Sequence, residues 1–191
     1  MCIIKEAISS YSLSKWNIIQ GNAKVLTNTL YLEGTTGTRA LLESKTSYNY
    51  PLVLEVRAKG KQTELVNAHF CSLRAEGDWN NRAGDILGYT SNNTLQFQTW
   101  SDGNSSITEN ISVDSLDLWH KYRIVWKENE SKAYQDDTLL ITHTTNIPSV
   151  EQVVVFYESN AENRDVYIDH VFVRKYTDPE PSVSVGDEET P

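Results

Sequence analysis

The sequence is poor in cysteine and in long apolar runs, and both shortages narrow the class of protein. Cys2 and Cys71 are the only cysteines among the 191 residues, so a small scaffold held by several disulfides is excluded. One bridge between them and two free thiols both fit the sequence. No apolar run approaches the ~20 residues of a membrane helix, and the first residues lack the charged and apolar regions of an export signal. We therefore expect no membrane insertion.

Clusters of lysine and arginine are also missing. The formal net charge is -9, and binding to phosphate backbones depends on clustered basic side chains. Nucleic acid is therefore not expected as a partner. The four histidines lack the short spacing of zinc ligands, which argues against a zinc site; they are His69, His120, His143 and His170.

What the sequence does contain is a series of short runs with the period-2 alternation of β-strands. The clearest lies in 118–143, where His120, Tyr122, Ile124 and Trp126 share one parity, as in a strand with one buried face. Two turn signals follow, which predicts a three-stranded meander. Further runs recur along the whole chain, and no window has a 3.6-residue apolar period. We predict an all-β chain folded as a two-sheet antiparallel β-sandwich of jelly-roll type.

The composition changes near the end of the chain. Residues 1–177 carry the strand pattern, whereas 178–191 are rich in proline, acidic and small residues. We interpret these as one sandwich domain followed by an acidic linker or tail. Trp16, Trp119 and Trp126 are expected in the core.

Five segments, spread over most of the chain, resemble a known superfamily. They are SLSKWNIIQGNAKVLTNTLYLEG (12–34), YPLVLEVR (50–57), WHKYRIVW (119–126), HTTNIPS (143–149) and YIDHVFVRKY (167–176). In this order they resemble the concanavalin A-like lectin/glucanase superfamily, in the form found with DUF2341-type domains of surface proteins and in carbohydrate-binding modules. Relatives usually read YVDG where this chain has Tyr134-Gln135-Asp136-Asp137, so we expect an unusual or mildly strained turn there.

The resemblance implies a fold that hosts glycosidases as well as lectins. In the superfamily's glycosidases the acids follow the pattern E-x-D-x-x-E on one strand, with the two catalytic carboxyls on one face. No run of this chain has that pattern. Catalysis is therefore not expected from the sequence.

A binding face is predicted instead around the run Thr94–Trp100. Leu95 and Phe97 share one parity and should enter the core, which leaves Gln96, Gln98 and Trp100 on the open face. Amides pair with sugar hydroxyls, and a flat indole stacks on a pyranose ring. We expect neighbouring segments to add further ligand-binding side chains: Asn67, His69, Trp79, Asp85, Tyr89 and Tyr157. The alternative for Trp79 and Trp100 is that they close the ends of the sheets.

The resemblance also implies a structural calcium ion. In relatives an acidic residue of the opening segment meets an aspartate of the closing strand, and calcium takes six to eight oxygen ligands. Asp169 occupies the aspartate position, and Glu6 is the candidate partner, although the usual acidic pair around it is Lys5-Glu6-Ala7 here.

These observations favour a non-catalytic carbohydrate-binding module for polysaccharide or cell-surface glycans. The alternative is a structural or adhesive domain of a surface or virion assembly that binds protein, and a third reading is a glycoside hydrolase or lyase with unrecognised acids. In each case we expect an extracellular or cell-surface location and neighbouring domains of a larger protein.

Overall fold

The fold consists of two antiparallel β-sheets packed face to face. The computed structural model describes residues 4–7, 15–26, 29–34, 40–61, 68–75, 84–91, 94–101, 106–113, 117–158 and 164–180. Within these ranges every regular element is a β-strand, which confirms the predicted all-β sandwich. None of these segments forms a helix that could cross a membrane.

One sheet has eight strands. They are β1 (Ile4–Ala7), β3 (Asn22–Leu26), β4 (Thr29–Gly34), β6 (Leu52–Lys61), β11 (His120–Trp126), β12 (Ser131–Gln135), β13 (Thr138–His143) and β15 (Arg164–Lys175). Their order is β13-β12-β11-β6-β15-β4-β3, and β1 also pairs with β15.

The other sheet has seven strands. They are β2 (Trp16–Gln20), β5 (Ala40–Tyr48), β7 (Ala68–Arg74), β8 (Gly84–Ser91), β9 (Thr94–Trp100), β10 (Ser106–Ser112) and β14 (Gln152–Glu158). Their order is β10-β9-β8-β7-β14-β5-β2, so β8 and β9 lie toward one side and β14 and β5 toward the other.

The predicted meander is present as β11, β12 and β13, which pair antiparallel in sequence order. Tyr122, Ile124 and Trp126 of β11 are all fully buried, as their shared parity predicted. The Tyr122 ring packs against Phe70 of β7 with ring centroids 4.3 Å apart. This contact joins the two sheets across the core.

The turn between β12 and β13 has the unusual backbone that its sequence predicted. Asp136 and Asp137 have φ values of 47° and 66°, in the left-handed region that glycine adopts more easily than aspartate. Their carboxylates are held by Lys121, whose backbone N–H donates to Asp136 Oδ1 at 2.9 Å and whose Nζ donates to Asp137 Oδ2 at 2.6 Å. These contacts offset part of the strain.

Two of the three tryptophans expected in the core are there, and one is not. Trp16 and Trp126 are buried. Trp119 is partly exposed, and its ring lies 5.0 Å from the Arg57 guanidinium carbon and 5.1 Å from Lys59 Nζ. It has the opposite parity to Tyr122, so it points to the outer face of the eight-stranded sheet, and the core prediction for it is wrong.

The thiol of Cys71 is free and buried, whereas Cys2 lies outside the described residues. At the other end of the described chain, Glu180 forms ion pairs with Arg123 at 3.2 Å and with Arg174 at 2.9 Å. The first residues of the predicted tail are therefore anchored on the eight-stranded sheet.

Candidate functional site

The candidate site is the face of the seven-stranded sheet that points away from the core, called the open face below. On β9, Leu95, Phe97 and Thr99 are buried, whereas Gln96, Gln98 and Trp100 are partly exposed. The alternation puts the two amides and the indole on the open face, as predicted for this strand.

The strand register groups the residues of this face into three rows that run across the strands. The histidine row contains Leu41, Tyr157, His69, Gly88, Gln96 and Asn110. The middle row contains Glu43, Val155, Ser72, Ile86, Gln98 and Thr108. The arginine row contains Val153, Arg74, Gly84, Trp100 and Ser106.

Two glycines on β8 lie where side chains of β7 cross the open face. A Cβ atom at Gly88 would lie 2.3 Å from the Ala68 carbonyl oxygen and 3.1 Å from His69 Cδ2. A Cβ atom at Gly84 would lie 2.5 Å from the Leu73 carbonyl oxygen and 3.2 Å from Arg74 Cγ. Since real Cβ contacts are not this short, glycine at these positions allows the side chains of β7 to lean over β8.

In the arginine row, Arg74 reaches across Gly84 to the indole of Trp100. The guanidinium carbon lies 5.2 Å from the centre of the ring, within the range of a cation–π contact. The indole Nε1 is shielded from solvent and has no hydrogen-bond partner among the described residues. Trp100 therefore belongs to the open face and is held there by Arg74.

In the histidine row, the His69 ring lies 5.2 Å from the Tyr157 ring, between centroids. Burial and the neighbouring positive charge of Arg74 lower the pKa of His69 to about 3. The imidazole is therefore neutral near pH 7 and can act as a hydrogen-bonding group rather than as a cation. At the edge of the row, Gln96 Nε2 donates to Asn110 Oδ1 at 3.2 Å.

The middle row contains a carboxylate. Glu43 of β5 is 6% exposed and is the register partner of Val155 on β14. A second carboxylate lies at the rim, where Glu151 accepts hydrogen bonds from Ser47 Oγ at 3.0 Å and from Asn49 Nδ2 at 2.7 Å. Among the strand residues described for this sheet, Glu43 is the carboxylate with the parity of the open face.

Apart from Asp85, the expected ligand residues divide into three groups. Gln96, Gln98, Trp100, His69 and Tyr157 lie on the open face, as expected. Tyr89 lies in β8, opposite Leu95. Asn67 and Trp79 lie outside the described residues.

Asp85 does not lie on the open face, where it was expected to contribute to ligand binding, so its predicted position is wrong. It is fully buried between the sheets, because it shares its parity on β8 with Leu87, which is also buried. Its register partner is the buried Thr99 of β9. Because Leu87 faces the core, Asp85 must face it too.

Sequence reasoning missed Arg74 and Glu43. Arg74 lies on the same face as His69 only because a bulge interrupts the alternation of β7 between His69 and Cys71. No sequence pattern predicts that bulge. Glu43 lies in a run that reads as an ordinary core strand. Both residues were therefore outside the predicted site.

Asp169, the candidate calcium ligand of the closing strand, is paired with an arginine of the chain. Asp169 Oδ2 pairs with the Arg57 guanidinium on the eight-stranded sheet, so a cation of the chain itself occupies this carboxylate. Glu6 lies in β1 opposite Val171. No group of three or more potential metal ligands occurs in the described ranges, and calcium binding by Asp169 and Glu6 stays a prediction.

Comparison with known proteins places the chain in a family. The family model "Glycosyl hydrolases family 16" matches residues 11–156. A search of curated proteins by sequence gave no significant match.

Solved structures with the same fold include several carbohydrate-active enzymes. The Bacillus licheniformis beta-glucanase has a TM-score of 0.72 at 18% identity, covering 92% of this chain and 99% of its own. The laminarinase catalytic domain from Thermotoga maritima has a TM-score of 0.75 at 14% identity, covering 93% and 98%. Crh5 transglycosylase in complex with NAG has a TM-score of 0.73 at 14% identity, covering 94% and 86%.

These findings correct three expectations. The non-catalytic binding module, with its lectin-like and adhesive alternatives, is wrong, because the family that matches is one of glycosyl hydrolases. The prediction that the protein is not an enzyme is wrong for the same reason. The specific resemblance to DUF2341-type domains and carbohydrate-binding modules is replaced by the match to glycosyl hydrolases family 16. Over most of its length, the chain belongs to glycosyl hydrolases family 16.

Proposed function

We propose that this protein is a glycoside hydrolase or transglycosylase whose polysaccharide substrate lies across the open face. The observation that carries the proposal is the family match over residues 11–156. The solved structures of similar fold are named as a beta-glucanase, a laminarinase and a transglycosylase. β-Glucans such as laminarin are therefore the first substrates to test.

The chemistry of the open face supports a sugar ligand. Gln96, Gln98 and Asn110 offer amide donors and acceptors along two adjacent strands, and Trp100 adds an aromatic surface. Sugars are bound by this combination of planar polar groups and aromatic rings. Over the glycine positions of β8, His69 and Arg74 add an imidazole and a guanidinium to these groups.

The cleavage step requires two carboxyl groups, one to protonate the leaving oxygen and one to act as nucleophile or base. We assign one of these groups to Glu43 in the middle row. The open-face positions of β8 are Gly84, Ile86 and Gly88, so the acids do not lie together on that strand in the pattern E-x-D-x-x-E. The second group must come from the rim, where Glu151 lies, or from outside the described residues.

The test is a measurement of new reducing ends, and of transfer to a labelled oligosaccharide, with laminarin and mixed-linkage β-glucan as substrates. We expect turnover by the wild type and a loss of at least 100-fold in Glu43→Gln, on the order of the contribution of one acid–base group. Glu33→Gln is the matched control, since Glu33 pairs with Lys24 on the other sheet. Equal activity of Glu43→Gln and the control would overturn the assignment of Glu43, and binding of β-glucan without any cleavage or transfer would overturn the proposed function.

A further inference from the structure

Four polar side chains lie together in the interior between the two sheets. Asp85 of β8 and Thr99 of β9 are register partners in the seven-stranded sheet. Ser131 of β12 and His143 of β13 are register partners in the facing sheet. All four are at most 4% exposed. They are called the inter-sheet cluster below.

One hydrogen bond joins the two halves of the cluster. Thr99 Oγ1 and His143 Nδ1 are 2.9 Å apart, which fixes the two sheets relative to one another at this point. His143 Nε2 has no partner among the described residues. The histidine is therefore bound through one ring nitrogen only.

Asp85 is the unusual member of the cluster. Neither of its carboxyl oxygens has a hydrogen-bond partner of normal geometry among the described residues, and the same holds for Ser131 Oγ, which faces it. An ionised carboxylate in such a place has lost its hydration without gaining a compensating donor or cation. The neutral carboxylic acid avoids this cost and can also donate a proton to a neighbour.

We propose that the inter-sheet cluster is a proton-binding site in which Asp85 is protonated in the folded protein, so that its contribution to the stability of the sandwich falls as the pH rises toward neutral. The cluster is fully internal and separate from the open face. It therefore acts on the stability of the fold and not on a bound ligand.

The direction of the pH effect follows from the titration of Asp85. Burial raises the pKa of Asp85 from 3.8 to about 7, and the Ser131 hydroxyl opposes this only in part. Because the pKa is higher in the folded than in the unfolded chain, the folded state binds more protons between these two values. The contribution of Asp85 is complete below about pH 4 and is lost as the pH rises to about 7.

The pKa values of other titratable groups on the surrounding strands are shifted as well, and each shift changes the stability in a definite direction. Burial lowers the pKa of His143, while the charge of Glu109 on β10 opposes the shift. The stability that depends on neutral His143 is therefore lost as the pH falls through its ordinary value. Burial raises the pKa of the Cys71 thiol on β7 well above its usual range, so it stays neutral, and Tyr122 of β11 contributes an inward hydroxyl. The titration of Asp85 lowers the stability as the pH rises, whereas those of His143 and of His69, whose pKa burial lowers to about 3, raise it over an overlapping range. Comparison with Asp85→Asn isolates the contribution of Asp85.

The test compares urea unfolding of the wild type and Asp85→Asn from pH 4 to pH 9. The unfolding constant of the wild type is divided by that of Asp85→Asn at the same pH. This ratio is expected to rise by up to about tenfold per pH unit between pH 5 and 7, because unfolding of the wild type releases one proton in this range. Asp169→Asn is the control, because Asp169 is a surface aspartate paired with Arg57, and it should keep the wild-type rise. A ratio that does not change with pH would overturn the proposal.

A second measurement keeps the test decisive if Asp85→Asn fails to fold. Infrared spectroscopy of the folded wild type should show a carboxylic acid C=O band that is still present at pH 6 and disappears near pH 7. If every carboxyl of the folded protein is ionised at pH 6, Asp85 does not hold a proton and the proposal is wrong.

Discussion

Replacing Trp126 by phenylalanine tests how the central meander is anchored. Trp126 is fully buried, its Nε1–H donates to the Pro148 carbonyl oxygen at 2.9 Å, and the Tyr50 ring packs edge-on against it at 5.3 Å. Phenylalanine keeps an aromatic ring in the site but removes the donor and part of the volume. The Pro148 carbonyl is then buried without a partner, which costs about 1–3 kcal/mol, and the space left by the smaller ring costs roughly 1 kcal/mol more.

The expected loss is therefore about 2–4 kcal/mol in the free energy of unfolding. For a chain of this size each kcal/mol corresponds to about 2–4 °C in Tm, so the melting temperature should fall by several degrees. Circular dichroism with thermal and urea unfolding measures both values. The control is Trp119→Phe, since Trp119 is partly exposed on the outer face, and its stability should change by less than about 1 kcal/mol. Equal losses in the two variants would refute the reasoning.

Gly88→Ala should lower the free energy of unfolding by about 1–3 kcal/mol, because its Cβ would lie 2.3 Å from the Ala68 carbonyl oxygen; urea unfolding measures this, and an unchanged midpoint would contradict the close approach of β7 and β8. Asp137→Gly should stabilise the protein by up to about 1 kcal/mol, because φ is 66° there and the exposed ion pair with Lys121 contributes little; a lower Tm would show that the ion pair outweighs the strain. At pH 8, Asp85→Asn should have a free energy of unfolding up to about 4 kcal/mol above that of the wild type, taking 1.36 kcal/mol for each unit of difference between the folded-state and unfolded-state pKa of Asp85. This difference should disappear at pH 4. A difference that stays constant from pH 4 to pH 8 would contradict the protonation of Asp85.

Most of the fold could be predicted from the sequence, because a sheet with one buried face imposes period-2 alternation on every strand. The run Thr94–Trp100 illustrates this: its strand bounds and its outward amides and indole agree with the structure. The same rule fails where a bulge changes the parity, as it does on β7 between His69 and Cys71. Arg74 could not be placed on the open face without that bulge.

The orientation of Asp85 was predicted wrongly for a different reason. Charged residues are rarely buried without a partner, and the sequence analysis placed Asp85 among the side chains of the binding face. Burial of Leu87 on the same face requires Asp85 to point inward. Because an ionised carboxylate would be desolvated there, the pKa of Asp85 is raised. A residue that breaks the general rule in this way is a candidate for a special role.

The function could not be reached from local motifs. The pattern of acids expected of a glycosidase is missing from the sequence, and this absence led to the non-catalytic reading. The family relationship is spread over residues 11–156, so no single short motif carries it. A fold shared by proteins of several functions does not by itself specify the chemistry of a site.

The most direct test of the central claim is mass spectrometry of laminarin after incubation with the purified protein, beside the Glu43→Gln variant. A family 16 glycoside hydrolase or transglycosylase changes the chain-length distribution, toward shorter products by hydrolysis or toward both shorter and longer ones by transfer, and Glu43→Gln leaves it unchanged. If the wild type leaves laminarin and every other β-glucan offered at their original lengths, the proposed activity is wrong.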